Sequence, residues 1–234
     1  MSAAALAGVA LACGAIGLAA GEVVNVLVDR VPDKLPLRPL RPIRAGRPGR
    51  QDRLVQVATA FLFAAAGVRF GATWVLPAYL VFFASLLAVS VIDLDRHIIP
   101  NRIVYPTIFV SIPLLALAAL LGDDWHRFGQ ALLGAGLAWG ALFVIHLVSP
   151  GGMGFGDVRL AFVLGLFLGW LGLGKVLTGL FLGFLLGAVI GVLLIAFKLR
   201  TRKDHIPFGP FLAGGAVLGV LFGAPITNWL VGYY

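Results

Sequence analysis

Two aspartates stand where their chemistry could matter. Asp93 follows a long apolar run and opens Asp93-Leu94-Asp95-Arg96-His97-Ile98-Ile99-Pro100-Asn101. Asp157 closes Gly154-Phe155-Gly156-Asp157. An ionisable group at the edge of a hydrophobic segment costs free energy, which makes it a functional candidate. Two carboxylates that converge cannot both ionise and must be treated as one titrating pair. The ionised member takes a proton from water, and the protonated member gives one to the carbonyl of a scissile amide. Such a dyad needs no nucleophilic side chain.

Each aspartate also has a plainer reading. Asp157 opens a helix and could be no more than a cap. Gly154 and Gly156 permit tight or left-handed turns and the close approach of another segment. Asp95 competes with Asp93, but it lies nearer the aqueous loop, beside Arg96 and His97, where a solvated ion pair is expected. His97 could be a base or a ligand. With no second histidine or cysteine nearby, it is expected to be a polar loop residue. Glu22, inside the first apolar segment, is expected to snorkel or to pair with a neighbouring helix. Asp29, Asp33, Asp52, Asp123, Asp124 and Asp204 are assigned to loops.

The elements that must position the dyad are apolar helices. The chain has 234 residues, 60% hydrophobic and 12% charged, with mean hydropathy +1.01. Soluble domains carry about 25% charged residues. Apolar runs of about 15 to 25 residues recur throughout, as in a polytopic helical membrane protein. A membrane barrel would instead alternate over ~10-residue stretches. Eight segments are expected, at roughly 3–28, 54–69, 73–92, 102–121, 128–148, 157–171, 174–197 and 209–232. The second and sixth are short for a hydrocarbon core of about 30 Å. Pro100 should break the chain after Asp93. Glycines at every fourth residue, Gly179, Gly183, Gly187 and Gly191, then Gly215, Gly219 and Gly223, with Gly165 and Gly169, predict close helix packing in lipid.

Charge orients this all-α array. Of 18 Lys and Arg, fifteen fall in the odd-numbered loops and only Arg69, Arg127 and Lys175 in the even ones. The bias places the odd loops in the cytoplasm and both termini outside. Asp93 and Asp157 then share the cytoplasmic face. The net charge of +8 is read as this topogenic signal rather than as nucleic-acid binding. Segment 29–53, rich in Pro and Arg, is expected to be extended, solvated and close to anionic lipid. The N-terminal run lacks the basic start of a signal peptide. The lone Cys13 is expected to pack rather than to carry lipid, and it permits no disulfide within the chain.

Four stretches together resemble one family. Gly21-Glu22-Val23-Val24-Asn25-Val26 through Arg30-Val31-Pro32, Ile92-Asp93 with Ile99-Pro100-Asn101, Gly154-Phe155-Gly156-Asp157-Val158-Arg159-Leu160, and Ile206-Pro207-Phe208-Gly209-Pro210 are similar, in this order, to motifs of the prepilin peptidases. These are GxGD-type aspartic proteases of type IV pilin precursors. The resemblance implies that Asp93 and Asp157 are the catalytic pair, that Gly154 and Gly156 form the active-site loop, and that Asn25, Pro100, Asn101, Arg159, Pro207, Phe208 and Gly209 serve substrate or motif.

It further implies a single domain over 1–234 with a peptidase core at 93–234, and cleavage of prepilins or pilin-like secretion proteins at the cytoplasmic face of the bacterial inner membrane. Proteolysis would need no cofactor or metal. Many members also carry Cys-x-x-Cys pairs for zinc and methylate the new N-terminus with S-adenosylmethionine. This chain lacks those cysteines, so zinc is not expected and the methyltransferase is in doubt. Arg159 replaces the family's usual Lys. The alternative reading is a proton- or cation-coupled transporter using the two aspartates as relays; no internal repeat supports it.

Overall fold

A computed structural model describes residues 2–36, 49–149, 153–199 and 207–231, with side chains in the last stretch described to Phe222. The stretch expected to be extended, in its part 37–48, lies outside the described residues, as do 150–152 and Ile206.

The protein is all-α. Among the described residues the helices are α1 (Ala3–Arg30), α2 (Arg50–Phe70), α3 (Leu76–Arg96), α4 (Asn101–Gly122), α5 (Trp125–Val148), α6 (Phe155–Trp170), α7 (Leu173–Ala196) and α8 (Gly209–Val231). Six of them, α1 to α5 and α7, are long and apolar enough to cross a membrane. The 16 residues of α6 rise only about 24 Å. Large apolar side chains stand exposed along these helices, among them Leu11, Phe61, Phe109, Leu177 and Val192. In water this much bare apolar surface would drive association; acyl chains cover it in a membrane.

Several boundaries differ from the sequence expectation. α2 begins at Arg50, so Asp52 is helical rather than in a loop. Its carboxylate accepts a 2.7 Å hydrogen bond from the Gly49 N–H, one of the donors a helix start leaves over. That first polar turn also lengthens α2 to 21 residues, enough to span. Asp29 lies in the last turn of α1. α3 runs on to Arg96, so Asp93 is inside its last turn rather than beyond it. His97, left-handed at φ 56°, ends the helix, and its N–H donates to the Asp93 carbonyl at 2.8 Å. Pro100 caps α4, the break its ring requires.

The chain divides into two compact units, residues 1–92 with 100–125, and residues 93–99 with 126–234. In the first, α1 lies close along α2, with Gly17 against the Ala60 backbone and Gly21 against Gln56. Gln56 donates to Glu22 at 3.0 Å, so Glu22 pairs across helices. Asn25 donates to the Asp52 carbonyl at 3.1 Å. Cys13 is buried beside Gly67. Thr107 of α4 donates to Ser85 of α3 at 2.8 Å.

In the second unit the glycine stripes do the packing. Gly165 and Gly169 of α6 meet Gly134 of α5, and Gly183 of α7 meets Leu212 and Gly215 of α8. α6 is buried nearly throughout, from Val158 to Trp170. That explains how so short a helix is tolerated: neighbouring helices, not lipid, are its solvent.

Candidate active site

The site is assembled within the second unit from three chain segments. The first is the end of α3 and its cap, the second the start of α6, the third the start of α8. A cavity of about 290 Å³ is lined by Asp93, His97, Ile98, Ile99, Gly154, Gly156, Asp157, Arg159, Pro207 and Phe208. Both aspartates are almost fully buried, Asp93 at 5% and Asp157 at 8% exposure. They interact electrostatically, the Asp93 charge being felt at Asp157.

Asp157 sits in the first turn of α6, with Gly154 as the helix cap at φ −69°. The backbone amides of Gly154 and of Asp157 itself are directed at its carboxylate. Such amides at a helix start suit a negative charge. Its Oδ1 is nonetheless buried without a hydrogen-bond partner among the described residues. A buried polar atom left bare is costly unless something outside the chain completes it.

The two glycines of this motif have different tasks. Neither is left-handed among the described positive-φ residues; of the readings offered for these glycines, close approach of another segment is the one the geometry favours. At Gly156 the reason is close approach: a Cβ there would stand 2.9 Å from Ile99 Cβ. Gly154 is less confined, its added Cβ 3.3 Å from Asp157 Oδ2.

Asp93 is held from far along the chain. The Gly209 N–H donates to its Oδ2 at 3.0 Å, across 116 residues. A Cβ at Gly209 would come within 2.7 Å of the same oxygen. Pro207 and Phe208, on the approach to α8, line the cavity.

Arg159 lines the cavity with its guanidinium stacked 4.5 Å over the Phe155 ring. Stacking of this kind suits the planar guanidinium and is a less natural task for the ammonium of Lys. His146 of α5 approaches the Met153 carbonyl with Nδ1 at 2.8 Å and so ties down the chain just before Gly154.

Asn25, Pro100 and Asn101 belong to the other unit. Asn25 is engaged with Asp52, Pro100 caps α4, and Asn101 begins it; none lines the cavity. Asp95 is exposed. Three cavity residues were not among the expected site residues: His97, read as a polar loop residue, and Ile98 and Ile99. The signal available for His97 was its distance of four residues from Asp93, which puts both on one side of a helix end. Among the described residues no three His, Cys, Asp or Glu side chains converge as a metal-ligand set.

The arrangement sets two interacting carboxylates, a bare oxygen and an apolar border of Ile98, Ile99, Pro207 and Phe208 around one cavity. Comparison with known proteins points the same way. The model of the type IV leader peptidase family matches residues 80–196. A prepilin leader peptidase/N-methyltransferase of Bacillus subtilis is 35% identical over 178 residues, 75% of this chain and 68% of that protein. Those of Pseudomonas aeruginosa and Aeromonas hydrophila are each 33% identical over 75% of this chain, and the matches span 59% and 60% of their lengths. No solved structure matches. The chain belongs to the type IV leader peptidase family.

Proposed function

We propose that this chain is a membrane aspartic endopeptidase that removes the leader peptide from type IV prepilins or pilin-like secretion proteins, with Asp93 and Asp157 as its catalytic pair. The observation that carries the assignment is that both buried carboxylates line one cavity while Asp157 Oδ1 lacks a partner. A water or a substrate carbonyl completes that oxygen.

The chemistry follows from one proton shared by two carboxylates. The ionised carboxylate takes a proton from a water, whose oxygen adds to the scissile carbonyl carbon. The protonated carboxylate gives its proton to the carbonyl oxygen, leaving a neutral gem-diol. The C–N bond then breaks. The departing nitrogen takes the proton that came from water, and a diol hydroxyl returns one to the other carboxylate. The pair ends with one proton, as it began. General acid and base contributions of this sort are worth roughly 10²- to 10⁴-fold each. Burial strengthens them by removing competing water.

Position in the membrane supports the same reading. The lysine and arginine bias puts Asp93 and Asp157 at the cytoplasmic face, with eight spans and both termini outside. Water enters from the cytosol while the substrate's apolar helix stays in lipid. In a bacterium this is the inner membrane. The whole chain acts as one peptidase domain, with its core in 93–234. Asn25, Pro100 and Asn101 hold their own helices in place, and Arg159, Pro207 and Phe208 meet the substrate. Membership in a peptidase family lends the transporter alternative no support.

The relatives' names also carry an N-methyltransferase. That activity needs S-adenosylmethionine, which supplies the methyl group. The cavity's polar side chains, Asp93, Asp157, His97 and Arg159, suit a peptide and a water. The described residues do not mark out a further place for this donor.

The test is a mass spectrum of the pilin N-terminus after co-expression with a prepilin from the same genome, beside the Asp157→Asn variant. A shortened N-terminus with wild type alone supports the peptidase, and one extra methyl shows the transferase. An intact leader in both samples contradicts the reading.

A further inference from the structure

Asp93 is badly placed by its own helix. It lies in the last turn of α3, where unpaired carbonyls make the negative end of the helix dipole and disfavour an anion. A second helix offsets this. Gly209 is the first residue of α8, so its N–H has no partner within that helix and is available to another group. It donates to Asp93 Oδ2 at 3.0 Å in a buried setting. The contact also explains the residue type, because a Cβ at 209 would meet the same oxygen at 2.7 Å and Ile99 Cδ1 at 3.3 Å.

We infer that the N-terminus of α8 is a working part of the active site, with the Gly209 backbone N–H as the positioning group that orients the Asp93 carboxylate for catalysis. This rests on Asp93 being one of the catalytic pair. The other charged or titratable groups at the cavity are Asp157 and Arg159 from α6 and His97 from the α3 cap. None is on α8, so the helix acts through its backbone. The contact is worth more in catalysis than in folding. A carboxylate fixed in one orientation meets water in one geometry, whereas a freely rotating one must be ordered at each turnover.

The experiment removes the N–H and also weakens the Phe208 carbonyl as an acceptor, which a control accounts for. In full-length protein, glycolic acid replaces Gly209, turning one amide into an ester. Phenyllactic acid replaces Phe211 as the control, because the Phe211 N–H donates to the Phe208 carbonyl at 3.1 Å in the same turn. Cleavage of a prepilin from the same genome is followed in proteoliposomes. The expected result is a fall in kcat of roughly 10- to 100-fold at 209, with KM unchanged, and a change under about threefold at 211; hydrogen bonds to charged groups are of this size. Gly209→Ala should lose at least as much. Equal losses at 209 and 211, a change confined to KM, or an unaltered kcat at 209 would overturn the inference while leaving the peptidase intact. A wild-type protein that does not cleave, or an Asp93→Asn variant that does, would instead overturn the reading on which it rests.

Discussion

The two aspartates reach one cavity by opposite routes. Asp157 lies at the start of its helix, where amides from its own motif, Gly154 and Asp157, face its carboxylate. Asp93 lies at the end of its helix and takes its amide from Gly209, 116 residues on. One carboxylate draws amides from its own motif; the other draws one from α8. The difference teaches that a catalytic pair can be alike in chemistry and unlike in dependence. Mutations near Asp157 should act locally, while Asp93 should answer to changes a hundred residues away.

The comparison can be broken most forcefully at Asp157. Asp157→Asn should lower prepilin cleavage by roughly 10²- to 10⁴-fold while the protein still accumulates in the membrane, as cleavage assays and membrane blots would show. Gly156→Ala should come next. Its Cβ would sit 2.9 Å from Ile99 Cβ, forcing apart the α6 start and the α3 cap, and kcat should drop by roughly 10- to 100-fold through misplacement alone. Gly154→Ala sharpens the contrast. Its Cβ has 3.3 Å to Asp157 Oδ2 and its φ of −69° suits any residue, so activity should fall by less than about tenfold. A larger loss at 154 than at 156 would reverse the roles given to these glycines.

Smaller effects are expected away from the cavity. Asn25→Ala removes a buried hydrogen bond to the Asp52 carbonyl and should cost about 1 kcal/mol, near the measured range for such bonds in membranes. A thermal shift in detergent reads this, with kcat nearly unchanged. Chelators should leave the proteolytic rate unaltered, because a carboxylate pair activates water without a metal; restoration of a lost rate by zinc would contradict this.

The same contrast explains what could be read from the sequence. The setting of Asp157 was legible because the glycines, the helix start and the acid lie together within four residues. Helices were legible too, since apolar runs of this length have few other uses. The first turn of α2 was missed because Arg50, Gln51, Asp52 and Arg53 look like loop residues, although a polar first turn is what a helix start accepts. The Gly209 contact was out of reach of local reasoning. Only the resemblance brought Pro207, Phe208 and Gly209 into view, and it could not say that an N–H rather than a side chain mattered. His97 was read as a polar loop residue, and Ile98 and Ile99 only as part of a motif, because their place at the cavity depends on the left-handed turn at His97, which neither composition nor periodicity announces. Asn25 was read from its motif, and its amide nitrogen serves the α1–α2 pairing.

The central claim is that Asp93, and not its neighbour two residues on, completes the pair. Asp93 is buried at 5% exposure, whereas Asp95 is exposed. The most direct measurement is the initial rate of leader removal by Asp93→Asn and Asp95→Asn proteins at matched membrane abundance. The account predicts no detectable cleavage by Asp93→Asn and nearly full activity in Asp95→Asn. An active Asp93→Asn protein beside an inactive Asp95→Asn protein would contradict it.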